Sequence, residues 1–378
     1  MKFETQAVHE GALKDETAGS VSGPLYLSTT FERSDEGELS PKGYVYTRLG
    51  NPNRLALETK LAKLERGAEA IAYASGMAAT LAVLQSVLSP GDHIIISDDC
   101  YHGVVQQLRN TFSRWQVTYS EVDMTTASNV EKGLKPNTKL VLVETPSNPQ
   151  LKITDIEAIA SITRKHKVIL AVDNTWATPC ITQPLELGAD LVIHSSTKYF
   201  GGHSDVLGGC VITKEKNELS ERLREFQTIG GVVPSPFDCW LLFRSMATLS
   251  IRVKTQSENA RIIADSLSKN TGIKKVYYPG LKSHLNHEVA ARQMKGSFGG
   301  MLSVLVKGGE KEALNFTSRL KLFKHATSLG GVESLVEHRL SVEGDHPKSP
   351  PNLVRISVGI EHVDDLIEDL EQALTYGI

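Results

Sequence analysis

A lysine, Lys198, follows directly on a short apolar segment that ends in hydroxyl residues, Asp190-Leu-Val-Ile-His-Ser195-Ser-Thr197-Lys198. Just upstream a second apolar run, Val168-Ile-Leu-Ala-Val, ends in Asp173-Asn174. An amine in such a place condenses with an aldehyde to a Schiff base, and a carboxylate keeps an aromatic ring nitrogen protonated. Hydroxyls and backbone N–H groups hold a phosphate. One cofactor uses all three at once, pyridoxal phosphate. Taken singly, Lys198 also reads as a surface lysine and Asp173 as a helix cap. Their joint place at two strand ends points to the cofactor, because open α/β sheets bind ligands at the carboxyl ends of their strands.

Other residues fit the same chemistry but have plainer readings as well. Ser75-Gly76-Met77 stands between a strand and a helix, where glycine lets backbone approach an anion. It serves equally as an ordinary N-cap. Ser195 and Thr197 add hydroxyl donors for the same phosphate. Tyr101 comes a few residues after a strand and can stack on a flat ring and handle protons, or simply half-bury its own ring. Glu144-Thr-Pro-Ser-Asn148-Pro149 presents Asn148 from a stiff loop, or is a plain turn. Tyr46-Thr-Arg48 offers a guanidinium fork for phosphate, or a solvated arginine. Arg355 ends Leu353-Val-Arg-Ile-Ser and either grips a carboxylate bidentately or forms a surface ion pair. His284 and His287 are one helical turn apart without acidic company, so no metal site is expected.

These residues need elements to position them. Residues 1–50 read as an arm rich in Gly, Ser, Thr and Glu, with no core of its own. Apolar spacing predicts helices over 55–64 and 75–88 around a strand at 71–74. Strands are expected at 93–97, 117–122, 139–144, 168–173, 191–194 and 208–213, with helices at 104–112 and 153–166. This alternation predicts an α/β fold with a mostly parallel sheet, over residues 51–245. From residue 246 to 378 the pattern becomes a smaller α+β domain. It holds strands at 274–278, 301–306 and 353–357 and helices at 311–318 and 363–375. Helices over 217–229 and 237–268 lead into it.

With 378 residues the chain suits two domains. A net charge of −3 argues against nucleic acid or an anionic membrane as partner. Its 4 cysteines are scattered without zinc or disulfide spacing and fit a reducing cytoplasm. No apolar signal core and no span-length apolar run appear.

Taken in order, these motifs resemble the cystathionine lyase and synthase family, the transsulfuration group of pyridoxal-phosphate enzymes in cysteine and methionine metabolism. The resemblance runs through Tyr-Thr-Arg-Leu-Gly-Asn-Pro, Ala-Ser-Gly-Met-Ala-Ala, Glu-Thr-Pro-Ser-Asn-Pro and Val-Asp-Asn-Thr. It continues in His-Ser-Ser-Thr-Lys-Tyr-Phe-Gly-Gly-His-Ser-Asp, Ser-Leu-Gly-Gly-Val-Glu-Ser-Leu and Arg-Ile-Ser-Val-Gly-Ile-Glu. It implies the type I fold of pyridoxal-phosphate enzymes, like that of aspartate aminotransferase. It implies Lys198 as covalent anchor and proton shuttle, Asp173 as partner of the ring nitrogen, and Tyr101 as the stacked ring. Gly76, Met77, Ser195 and Thr197 would form the phosphate cup. Tyr46 and Arg48 would complete the phosphate site of a neighbouring subunit in a homo-oligomer with shared sites, a tetramer. Asn148, Ser328 and Arg355 would fix the substrate α-carboxylate.

Members differ in reaction, so the departures carry the specificity argument. Gamma-acting relatives commonly hold an acid just before Ser-Leu-Gly-Gly, where this chain has Thr327. Val45 replaces another acid, Leu49 a polar or basic residue. His102-Gly103 lacks the cysteine of methionine γ-lyases. A Met-Thr-His segment gives way to His338-Arg339-Leu-Ser-Val-Glu343-Gly344. The expected reaction is β-elimination of L-cystathionine to homocysteine, pyruvate and ammonia. Its alternatives are the γ-lyase and γ-synthase reactions, a relaxed β/γ enzyme, and a non-catalytic protein that only binds the cofactor.

Overall fold

Runs of Ile, Val and Leu that are apolar on both faces form a stable sheet only where helices cover both sides. The computed structural model describes residues 1–34, 37, 43–343 and 348–375. Its large sheet has seven strands: β1 (Glu69–Tyr73), β2 (His93–Ser97), β3 (Thr118–Val122), β4 (Thr138–Glu144), β5 (Ile169–Asp173), β6 (Leu191–His194) and β7 (Gly209–Thr213). They lie in the order β1-β7-β6-β5-β4-β2-β3. Neighbours from β6 to β3 are parallel, and β7 alone runs against β1 and β6. This is the mostly parallel sheet that strand–helix alternation predicts. In β2, Ile94 and Ile96 join one helical layer and Ile95 the other, all at 0% exposure. Leaving water stabilises the fold by roughly 1.5–3 kcal/mol per such side chain.

A second sheet holds β8 (Ile273–Tyr277), β9 (Met301–Val306), β10 (Lys324–His325), β11 (Leu335–His338) and β12 (Leu353–Ser357), in the order β10-β11-β12-β9-β8. β11 lies outside the sequence expectation. It is short and follows Leu329-Gly-Gly-Val, so it shows no strand-length apolar run. Yet it pairs antiparallel with β12 and sets Glu337 opposite Arg355.

Two further expectations change. The stretch 237–268 is not one helix but two, Pro236–Met246 and Leu249–Leu267. The Ser245 carbonyl accepts from the Thr248 amide at 3.2 Å and from Arg252 Nη2 at 3.0 Å, which tightens the turn and ends the first helix. The second helix then joins the two cores. Leu249 and Val253 pack into the large one, and Ala260, Ile263 and Leu267 into the small one. The arm over 1–50 is not wholly without structure either. Helix Phe3–His9 docks on helix Pro52–Leu64, with Ala7 buried and Lys60 Nζ donating to the Ala7 carbonyl at 2.7 Å. Among the described residues no helix is long and apolar enough to cross a membrane.

Candidate active site

Strands β4, β5 and β6 end side by side, and the register sets Glu144 opposite Asp173 and Asp173 opposite Ile193. The chain leaving β6 runs directly into Ser195 and Lys198. Thr175 ties the two strand ends together. Its amide donates to Asp173 Oδ1 at 3.0 Å, and its Oγ1 accepts the Ser195 N–H at 2.9 Å. Burial pushes the Asp173 carboxyl above its usual range, and the bonds from Thr175 oppose that rise. Asp173 keeps partial exposure at the strand end. Glu144 is pushed up further, by burial and then by the charge of Asp173. Its Oε2 accepts the Tyr101 N–H at 2.7 Å, which sets Tyr101 at the start of helix His102–Asn110. Tyr101 is 40% exposed, and its ring centre lies 4.6 Å from that of His102.

Lys198 Nζ donates to Ser328 Oγ at 2.8 Å. Ser328 has φ 101°, a conformation that favours glycine, and the Arg355 guanidinium holds it there by donating from Nη2 to its carbonyl at 3.2 Å. Arg355 Nη1 donates to Asn148 Oδ1 at 3.1 Å, and Nη2 pairs with Glu337 Oε2 at 2.8 Å. The Arg355–Glu337 pair is buried, so the surface ion pair allowed by the sequence is not the arrangement found. Lys198, Ser328, Arg355 and Asn148 thus form one hydrogen-bonded chain that links the strand ends of the large sheet to β12 of the second sheet. Burial lowers Arg355 to about 10, and Glu337 counters it.

Burial, helped by the charge of Arg355, lowers the Lys198 amine from 10.5 to about 8. The unfolded chain would hold this proton up to 10.5 and the folded chain only to about 8. Burial of Lys198 therefore costs stability below pH 8, and that cost fades as pH rises from 8 to 10.5. Only the neutral amine attacks an aldehyde. Capture of pyridoxal phosphate by the cofactor-free protein is expected to accelerate with pH to a midpoint near 8. Stopped-flow absorbance across a pH series measures it, and a midpoint close to 10.5 would contradict the shielding.

Helix Gly76–Val87 begins beside this cluster. Ser75 Oγ caps it by accepting the Ala78 N–H at 3.1 Å. Among the described residues the amides of Gly76 and Met77 find no acceptor. A Cβ built on Gly76 would stand 2.7 Å from Ser195 Cβ, so only glycine fits against the Ser195 loop. Unmet amides at a helix start next to a serine hydroxyl make a cradle for phosphate. With an amine at Lys198 and a carboxylate at Asp173, the residues present fit pyridoxal phosphate. Thr197 is less free than expected. Its hydroxyl donates to the Gly208 carbonyl at 3.2 Å and accepts the Gly208 N–H at 3.0 Å.

Tyr46 and Arg48 do not join the cluster within this chain. Arg48 Nη1 donates to the Thr228 carbonyl at 2.7 Å, and its guanidinium lies 5.7 Å from the Tyr46 ring centre. Sequence reasoning missed two carboxylates. Glu144 ends an apolar run as Asp173 does, so the rule that found one applied to the other. Glu337 was hidden because its role follows from the register of β11 on β12. Gly344, in the segment that departs from the family pattern, lies outside the described residues.

Comparison with known proteins agrees with this geometry. Residues 4–375 match the model of the Cys/Met metabolism PLP-dependent enzymes. A cystathionine gamma-synthase of Mycobacterium bovis is 46% identical over 98% of this chain and 96% of its own. A cystathionine beta-lyase of Lactococcus lactis subsp. cremoris is 42% identical over 98% of each. The crystal structure of a cystathionine gamma-lyase from Lactobacillus plantarum superposes with a TM-score of 0.94, at 38% identity over 100% of this chain and 99% of that one. The sheet order, the second sheet and these likenesses give the type I fold expected from sequence. Nearly the whole chain is covered, so it belongs to the family of pyridoxal-phosphate-dependent enzymes of cysteine and methionine metabolism, the cystathionine lyases and synthases.

Proposed function

We propose that this chain is a carbon–sulfur lyase that cleaves L-cystathionine by β-elimination to homocysteine, pyruvate and ammonia. Bound pyridoxal phosphate supplies an aldehyde to capture the substrate amine and a ring to accept electrons from the α-carbon. In this reading the Gly76 and Met77 amides and the Ser195 hydroxyl hold the phosphate, with Thr197 beside them. Asp173 supplies the carboxylate for the ring nitrogen. Arg355 and Asn148 take the substrate α-carboxylate. Two of the five guanidinium N–H groups on Arg355 are used by Asn148 and Ser328, which leaves donors for it beside the ion pair with Glu337. Lys198 Nζ, released as a neutral amine, removes the α-proton, and Ser328 Oγ orients it through the 2.8 Å bond. Thiolate leaves the β-carbon as Lys198 or the Tyr101 hydroxyl returns a proton. Tyr46 and Arg48 serve the phosphate site of a neighbouring copy.

The choice of β over γ rests on Thr327. The family resemblance implies that gamma-acting members commonly place an acid there. Here the Thr327 hydroxyl bonds to Glu337, whose charge is already shared by Arg355 and Arg339. No uncommitted carboxylate is thereby offered to draw the distal ammonium toward the γ pose. The rival reading is a γ-synthase, favoured by the name of the Mycobacterium bovis relative. Product analysis decides between them. Cystathionine is expected to yield more pyruvate than 2-oxobutyrate, and predominant 2-oxobutyrate or no 2-oxo acid would overturn the β assignment. The wild-type ratio is a cleaner test than Thr327→Glu, since a new carboxylate would sit against Glu337 and disturb Arg355.

A further inference from the structure

One buried carboxylate has no part in the reaction outlined above. Glu65 caps helix Pro52–Leu64 at its carboxyl end and is 0% exposed. Its Oε1 accepts from Asn174 Nδ2 at 2.9 Å and from His194 Nε2 at 2.5 Å. Both donors are buried as well. Each adjoins a residue of the candidate site. Asn174 follows Asp173, and His194 opens the run Ser195-Ser-Thr-Lys198. A single oxygen thus holds the ends of β5 and β6 together. The two strands pair at only three positions, from Ala171 to Asp173. Among the described residues, the other ties between their carboxyl ends are the Thr175 bonds and the Asn174 N–H, which donates to the Ile193 carbonyl at 3.0 Å.

Strand alternation puts this clamp behind the sheet. Ala171 and Ile193 pack in the layer of helix Gly76–Val87, and Val172 and Val192 in that of helix Pro52–Leu64. Asp173 therefore takes the first face and His194 the second. The phosphate cradle at Gly76 lies on the first face, so Glu65 acts on the backbone from the far side. A carboxylate is a costly filling for a core layer that Leu61, Leu64 and Val192 otherwise complete with hydrocarbon. What it adds is direction, because two hydrogen bonds to one oxygen fix a separation that apolar packing leaves loose. We infer that Glu65 is a positioning residue for the chemistry. Through Asn174 and His194 it sets the distance between Asp173 and Lys198, and a rigid ring must reach both, one at its nitrogen and the other at its aldehyde. This assignment rests on the roles given above to Asp173 and Lys198, and not on the choice between β- and γ-elimination.

The test compares Glu65→Ala and Glu65→Gln with the wild type, each loaded with pyridoxal phosphate. Glutamine keeps an oxygen for both donors, and its amide nitrogen replaces Oε2, which has no partner among the described residues. Two quantities are read on the folded, loaded fraction. One is kcat for 2-oxo acid release from cystathionine. The other is the visible circular dichroism per bound cofactor, which reports how the ring sits and reads the clamp even if cystathionine is not the substrate. Glu65→Ala is expected to lose about tenfold or more in kcat, with KM changed less than about threefold, and about half or more of the dichroism. Glu65→Gln is expected to restore most of both. A purely structural Glu65 would lower the melting temperature of the alanine variant and leave both quantities unchanged, and that result would overturn the assignment. A glutamine variant as impaired as the alanine one would overturn it too, since the oxygen is then present without effect. Should Glu65→Ala fail to fold, His194→Leu removes the β6 half of the clamp and is expected to show the same losses, and wild-type values there would count against the clamp. A wild type that holds no covalently bound cofactor would instead overturn the roles of Lys198 and Asp173, and the assignment with them.

Discussion

Lys198→Ala is expected to abolish turnover while leaving the fold intact. The amine is asked both to anchor the aldehyde and to move the α-proton, so its removal is expected to cost on the order of 10³-fold or more in kcat. The structural cost is small. Among the described residues Lys198 Nζ makes a single hydrogen bond, to Ser328 Oγ, and its burial disfavours the charged amine below about pH 8. The variant is thus expected to melt at or above the wild-type temperature at pH 7 and to show no covalently bound cofactor band. A purified variant with undiminished rate would remove Lys198 from the site. The same chain tests whether sites are shared. Mixed with an Arg48→Ala chain, also nearly inactive, it is expected to regain part of the activity where one interface keeps both intact residues. No recovery after proven subunit exchange would count against Arg48 acting in a neighbour.

The parts of this site that sequence reveals are those fixed by local rules. Lys198 and Asp173 stand out because apolar runs of strand length end beside them, and the end of a parallel strand is where an α/β sheet meets its ligand. Gly76 stands out because a helix start without a side chain admits an anion. What sequence hides depends on register and on packing between distant segments. Glu337 meets Arg355 only because β11 pairs with β12, and β11 is four residues long. Thr327 meets Glu337 only once that pairing is in place. The break between helices Pro236–Met246 and Leu249–Leu267 has no Pro or Gly to announce it. It arises from one carbonyl, that of Ser245, taken by the later Arg252. The docking of helix Phe3–His9 depends on Lys60, a lysine that reads as surface yet is 0% exposed. Side chains whose partners lie far along the chain carry no local mark of it.

Asp173→Asn is expected to leave the protein folded and to remove most of its catalysis. Asparagine keeps the shape and keeps an oxygen for the Thr175 N–H that Asp173 Oδ1 accepts at 3.0 Å. The sign of the stability change follows from the raised carboxyl. Burial makes the folded chain hold the Asp173 proton to higher pH than the unfolded chain does. The ionised carboxylate therefore costs stability above the ordinary carboxylate range, and the amide removes that cost at pH 7. Thermal denaturation is expected to show no loss. Catalysis has no such substitute, because a neutral amide cannot hold positive charge on the ring nitrogen and the ring then accepts electrons poorly. Loss of a fixed charge aimed at the reacting system is expected to cost on the order of 10²–10³-fold in kcat. Glu144 stands opposite Asp173 in the register but does not replace it. Its Oε2 is engaged by the Tyr101 amide at 2.7 Å, and burial keeps it well above the usual carboxylate range. Steady-state kinetics with the cofactor saturating measures the effect. A near-normal kcat with cofactor bound would mean that Asp173 is a structural residue and that the ring nitrogen finds its charge elsewhere.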